Sequence, residues 1–374
     1  MELTNELLHL IEGYGPEALG LLLELARIPA PSNQEEKRAA FCLQWLRSQG
    51  AKEAFVDEAL NVIYPVGDDG QNDLMVFMAH SDVVFPDTTP LPLRMENGRI
   101  YCPGVGDDTA NAVALLTVAG HIAREKLQPK GCGVLLVINS GEEGLGNLKG
   151  SRAIMARYGH RVKEFVTFDG NASAIVTKAV GSRRYRVTVK TEGGHSYGKF
   201  GAPNAIAQLA QLIARLYEVR VPAIGKTTYN VGTISGGTSV NTIAQECSML
   251  YEFRSDEREG LSFMQAQFET IVEEFRASGV QIELEVVGDR PCGLDVDNSA
   301  LARRAAMAVE KHYGLSPAFT SGSTDCNVPL SIGVPAICPG CVMGAGAHTR
   351  EEYVQIDSLL PGLKVAFELI AHHF

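Results

Sequence analysis

Residues able to bind a metal or move a proton recur at the ends of apolar runs in this 374-residue chain. The run DLMVFMAH closes on His80, and Asp82 follows two positions later. Alternate side chains of an extended chain share one side, so that aspartate reaches the region of the imidazole. An Asp so placed accepts the second ring N–H of a histidine and fixes the tautomer that binds a cation. YCPGVGDDTAN, residues 101–111, is a glycine-rich turn that opens a helical pattern with Asp107 and Asp108. It lacks the G-K-[ST] ending of a phosphate loop, and paired carboxylates repel phosphate, so a metal suits one of them better. The other is equally a helix N-cap.

Three further stretches share this character. VLLVINSGEEGLGN places Glu142 and Glu143 after an apolar run, FDG places Asp169 after another, and GAGAHTREEYV sets His348 in a glycine-rich loop. Singly, His80 reads as a packed histidine and the glutamate pair as a solvated turn. Jointly they supply nitrogen and oxygen donors for two zinc-like ions, with no thiolate among them. Such a set fits a hydrolytic centre with open water positions better than a structural site.

The elements that position these groups alternate. SNQEEKRAAFCLQWLRSQG predicts a helix with a capping box from Ser32 to Glu35. NVIYPVG and DLMVFMAH read as strands, TANAVALLTVAGHIAREK as a helix, GCGVLLVINS as a strand, LKGSRAIMARYG as a helix and EFVTFDG as a strand. Near-continuous apolar strands between helices predict a largely parallel sheet covered on both faces. From about residue 182 the texture changes. The order strand–helix–strand–strand–helix–strand, with Pro203 near the first turn of its first helix, matches a ferredoxin-like α+β unit. The expected organisation is an α/β catalytic domain over 1–181 and 294–374, with an inserted domain over 182–293.

Composition narrows the partners. A net charge of −11 argues against nucleic acid and anionic membrane surfaces. No apolar run approaches the roughly 20 residues of a bilayer span, and the acidic start lacks a signal-peptide pattern. Leu3, Leu7, Leu8 and Ile11 space a helix there instead. The eight cysteines are scattered; Cys338-Pro-Gly-Cys341 has no matching pair. Reduced, buried thiols in a cytoplasmic protein are expected.

HSDVV, GVGDDTAN, SGEEGLG, FDG and AHTREEYV, in this order and spacing, resemble the co-catalytic zinc peptidases that include peptidase T, carboxypeptidase G, aminoacylase and succinyl-diaminopimelate desuccinylase. The resemblance spans essentially the whole chain. It implies two zinc ions per subunit, with cobalt or manganese as substitutes. His80, Asp107 and Asp169 would hold one ion, Asp107, Glu143 and His348 the other, with Asp107 bridging. Asp82 would orient His80, and Glu142 would act as general base on a water shared by cations about 3.5–4 Å apart. GGHSYGKFGAPNA implies His195 as an oxyanion donor supplied by the partner of a homodimer formed through the inserted domain. Asn241 and Arg254 match positions that hold a substrate carboxylate, and SGSTDCN places Ser323 beside the substrate.

Two departures bear on the substrate. Thr109 stands where many members carry a lysine two residues after the bridging aspartate. Asp169 stands where deacylase-type members have glutamate, which by analogy leans toward aminopeptidases and tripeptidases. The expected substrate is a short peptide. The alternatives are an N-acyl-amino-acid deacylase and a non-catalytic binding protein on the same fold. An oxidoreductase is excluded, since no G-x-G-x-x-G follows a strand.

Overall fold

The computed structural model describes residues 3–374. Two compact units separate, one formed by the chain before Val180 and from Leu294 onward, the other by Val180–Gly293.

An eight-stranded sheet organises the first unit, in the order Phe55–Val56, Val62–Val66, Gly133–Asn139, Leu74–His80, Val162–Thr167, Ala336–Pro339, Ala174–Ala179 and Ala318–Gly322. The four central strands are mutually parallel, as the apolar runs predict. Val62–Val66 joins one side antiparallel, and Ala174–Ala179 joins the other antiparallel to Ala336–Pro339. Both faces are buried, and the period of two sorts the side chains. Val134, Leu136 and Ile138 enter one core with Phe77 and Ala79. Leu135 and Val137 enter the other with Leu74, Val76 and Met78.

Register brings the chemistry to one end of this sheet. His80 is the Cα partner of Asn139, and Met78 is the partner of Thr167. Glu142, Glu143 and Asp169 therefore leave the sheet at the same carboxyl edge as His80, where ligands bind in open α/β sheets. The Ala110–Glu125 helix starts directly after Asp107 and Asp108 and is buried from Ala110 through Ala123. Its alanines favour the helix and allow it to lie inside the core. No helix among the described residues is long and apolar enough to cross a membrane.

The capping box expected at Ser32–Glu35 does not form. The helix runs Glu36–Ser48, and Glu35 at its cap makes no side-chain cap bond. Ser32 bonds to Asp82 instead, and Glu35 accepts the Gly141 amide.

The unit Val180–Gly293 has a four-stranded antiparallel sheet ordered Thr227–Gly236, Glu246–Ser255, Gly181–Lys190, Gln281–Arg290. Helices Ala205–Leu216 and Arg258–Ala277 pack on it through Leu209, Leu212, Met264 and Phe268. This is the ferredoxin-like order. Asn204 caps the first helix by accepting from the Ile206 and Ala207 amides, so Pro203 lies one residue outside it.

Candidate metal centre

Asp107 is the hub of the site. Its Oδ1 lies 3.1 Å from His80 Nε2, and its Oδ2 lies 3.1 Å from His348 Nε2. His348 Nε2 is also 3.3 Å from Glu143 Oε1. Ligand atoms of His80, Asp107 and Glu143 all fall within 4.8 Å of one another, as do those of His80, Asp108 and Asp169. The expected side chains therefore gather in one region, but Asp169 groups with His80 and Asp108 where the resemblance implies His80 and Asp107. Asp108 joins them, although its oxygens are engaged: Oδ2 accepts the His80 amide at 2.9 Å and Oδ1 accepts Asn111 Nδ2 at 2.7 Å. His348 itself adopts a left-handed φ of 64°.

The donor set fits divalent cations. Glu143 Oε1 is buried, and its polar neighbour is the His348 imidazole at 3.3 Å. Burial lifts the Glu143 carboxyl to about 7, against the pull of His348. Burial and the neighbouring Asp107 push Asp169 well above the usual carboxylate range. Asp107 moves down despite its burial, because His348 and His80 hydrogen-bond to it. His348 in turn rises to about 10 through its bonds to Asp107 and Glu143. Oxygens this crowded and desolvated call for compensating positive charge.

Asp82 meets His80 mainly through its backbone and the glutamate turn through its carboxylate. His80 Nδ1 is 3.1 Å from the Asp82 carbonyl oxygen and 3.5 Å from its Oδ1. The carboxylate instead accepts the Glu142 amide at 3.0 Å, the Glu143 amide at 2.9 Å and the Ser32 hydroxyl at 2.7 Å. Glu35 Oε1 accepts the preceding amide, that of Gly141, at 3.0 Å, with Lys149 Nζ 3.4 Å from its other oxygen. Consecutive amides of the glutamate turn are thus held by buried carboxylates. Glu142, also buried, sits beside Glu143 on this braced turn.

Other expected residues lie elsewhere in the chain. His195, Asn241 and Arg254 belong to the Val180–Gly293 unit. His195 is exposed, and its Nδ1 accepts from the Tyr197 and Gly198 amides at 3.3 Å. That fixes the proton on Nε2, which is then a donor. Asn241 is exposed, its Oδ1 accepting from Ser239 Oγ at 2.8 Å. Arg254 forms a two-pronged pair with Glu252, at 3.0 Å for each contact. Ser323 directly follows the strand Ala318–Gly322 in the first unit. Thr109, in the place of the family lysine, accepts from Arg38 Nη1 at 3.0 Å and donates to Gly104 O at 2.6 Å.

Sequence reasoning missed the buried pair Asn139–Asp325, bonded at 2.6 Å under the glutamate turn, and Glu352. Their partners lie far away in sequence, and no local pattern marks them.

A thiolate-free cluster of histidines and carboxylates at the carboxyl edge of a parallel sheet defines a metal-dependent hydrolase. Residues 76–372 match the model of peptidase family M20/M25/M40, and the chain belongs to that family of metallopeptidases. It is 26% identical over 322 residues to the protein YqjE of Bacillus subtilis (strain 168), covering 83% of this chain and 84% of that one. It is 24% identical over 346 residues to the acetylornithine deacetylase of Myxococcus xanthus, covering 86% and 87%. In fold it is similar to a tripeptidase from Staphylococcus aureus subsp. aureus mu50, with a TM-score of 0.76, 23% identity and coverage of 95% and 97%.

Proposed function

We propose that this chain is a two-metal hydrolase of short peptides with a free amino terminus, active as a homodimer in the cytoplasm. The observation that supports it most is the division of the Asp107 oxygens between His80 and His348, with Glu143 beside His348. One carboxylate facing two ligand sets suits a bridging role. His80, Asp107 and Asp169 would hold one cation, and Asp107, Glu143 and His348 the other, zinc being the preferred ion. Bound cations would supply Lewis-acid polarisation of the scissile carbonyl and acidify water.

The remaining chemistry falls to the chain's own groups. Glu142, held next to Glu143 but assigned to neither ion, receives the proton of the attacking water and returns it to the leaving amine. Asp82 keeps Glu142 aimed by gripping its amide. His195 from the inserted unit of a second copy offers its Nε2 proton to the developing oxyanion. Asn241, Arg254 and Ser323 act on the substrate, Arg254 exchanging Glu252 for the substrate carboxylate.

N-acyl-amino-acid deacylation is the second reading, favoured by the likeness to the Myxococcus xanthus deacetylase. Di- and tripeptides assayed beside N-acetyl and N-succinyl amino acids separate the two. Faster turnover of the free-amino peptides supports the peptidase, and turnover of acylated substrates alone overturns it.

A further inference from the structure

Glu352 is nearly inaccessible, at 2% exposure, yet no cation lies in ion-pair contact with it among the described residues. A buried carboxylate without a cation is costly unless hydrogen bonds replace its lost hydration. Here backbone amides do so. Glu352 Oε1 accepts from Gly106 at 2.7 Å and from Asp107 at 2.8 Å, and Oε2 accepts from Gly104 at 2.9 Å. A Cβ on Gly106 would stand 3.3 Å from Glu352 Oε1, so the loop follows the carboxylate closely.

Two connections tie Glu352 to the second histidine. It lies four residues after His348, and its amide donates to Thr349 O at 3.3 Å. Its carbonyl accepts from Cys102 at 3.2 Å, and the next residue, Tyr353, pairs with Tyr101 across the small sheet. The loop carrying Asp107 and the loop carrying His348 are therefore clamped through one side chain.

We infer that Glu352 is a positioning residue for the metal centre, holding Asp107 in register with His348. Its role is to fix the backbone from which Asp107 projects, so that both oxygens stay 3.1 Å from their imidazoles. This rests on Asp107 being a ligand, as proposed above. Groups that orient ligands are worth about 10–100-fold in metal affinity.

The test is zinc titration of the chelator-stripped full chain against a chromophoric competitor, for the parent, Glu352→Gln and Glu352→Ala. Visible spectra of the cobalt-loaded proteins and melting of the apo proteins accompany it. Glu352→Ala is expected to bind zinc about 10–100-fold more weakly and to alter the cobalt bands. Glu352→Gln keeps one acceptor oxygen and should recover part of the affinity. If Glu352→Ala does not fold, a several-fold loss of zinc affinity in Glu352→Gln supports the positioning role by itself. Equal affinity and unchanged cobalt spectra, whatever the apo melting temperature, overturn the inference. A parent chain that binds no zinc overturns the reading of Asp107 as a ligand, and this inference with it.

Discussion

Asp82 accepts the backbone N–H of Glu143 at 2.9 Å, so the strand that ends in His80 directly holds the turn that ends its neighbour. The same carboxylate grips Glu142 and Ser32. Replacing Asp82 by Ala should lower kcat by about 10–100-fold, the usual cost of losing a group that orients ligands. Ser32→Ala removes only one donor and should cost much less. Steady-state kinetics on the best peptide substrate, with metal content measured in parallel, checks both.

His348 reaches across from its glycine-rich loop to Asp107 and Glu143, as the proposed second metal site requires. Elemental analysis of His348→Ala should show bound zinc falling from two ions per chain to one. Chelator treatment of the parent should lower its melting temperature by several degrees, because a ligand present at about 100 times its Kd adds about 2.7 kcal/mol of stability. Zinc should restore it. An unchanged melting temperature would mean that the crowded carboxylates tolerate one another without a cation.

The Gly150 backbone packs under the glutamate turn. A Cβ there would lie 2.6 Å from Ser140 O and 2.5 Å from Asn61 Oδ1. Gly150→Ala should therefore push Ser140, and with it Glu142 and Glu143, out of place. We expect about 1–3 kcal/mol of lost stability from overpacking, together with a drop in kcat. Urea unfolding and kinetics on the same preparation report the two effects.

Burial holds the His373 imidazole down at about 4, from an ordinary 6.5, with Glu164 offsetting part of the penalty. The unfolded chain then takes up this proton before the folded one does. Stability from this group is complete above about pH 6.5 and is lost as pH falls toward 4. His373→Phe keeps a ring against Phe77, whose centroid is 5.6 Å from that of His373. Measured on chelator-stripped protein, the variant should lose on the order of 2–3 kcal/mol less than the parent over that range. Parallel pH curves for the two proteins would contradict this.

His80, Asp169 and the glutamate pair are legible in the sequence because an apolar run marks a buried parallel strand and its last polar residues mark the ligand edge. Ser32 and Glu35 show the limit of local pattern. Their spacing is that of a capping box, but the helix start is near a desolvated turn that engages both side chains: Glu35 accepts the Gly141 amide, and the Ser32 hydroxyl donates to the Glu143 carbonyl. Glu351 and Glu352 are adjacent and chemically identical, yet Glu351 pairs with Arg94 on the surface while Glu352 is buried against amides. Only the fold distinguishes them. The inserted unit is legible as an order of elements, whereas nothing local marks the pairing of Arg254 with Glu252 two residues before it.

The central claim is that Glu142 moves the proton while its neighbour Glu143 binds metal. Glu142→Gln preserves shape and removes the base. Metal content and turnover measured on one preparation of that variant test the claim most directly. Two divalent ions per chain, with kcat reduced about 10²–10⁴-fold, is the predicted result. A fully metallated variant that retains parental turnover would contradict it.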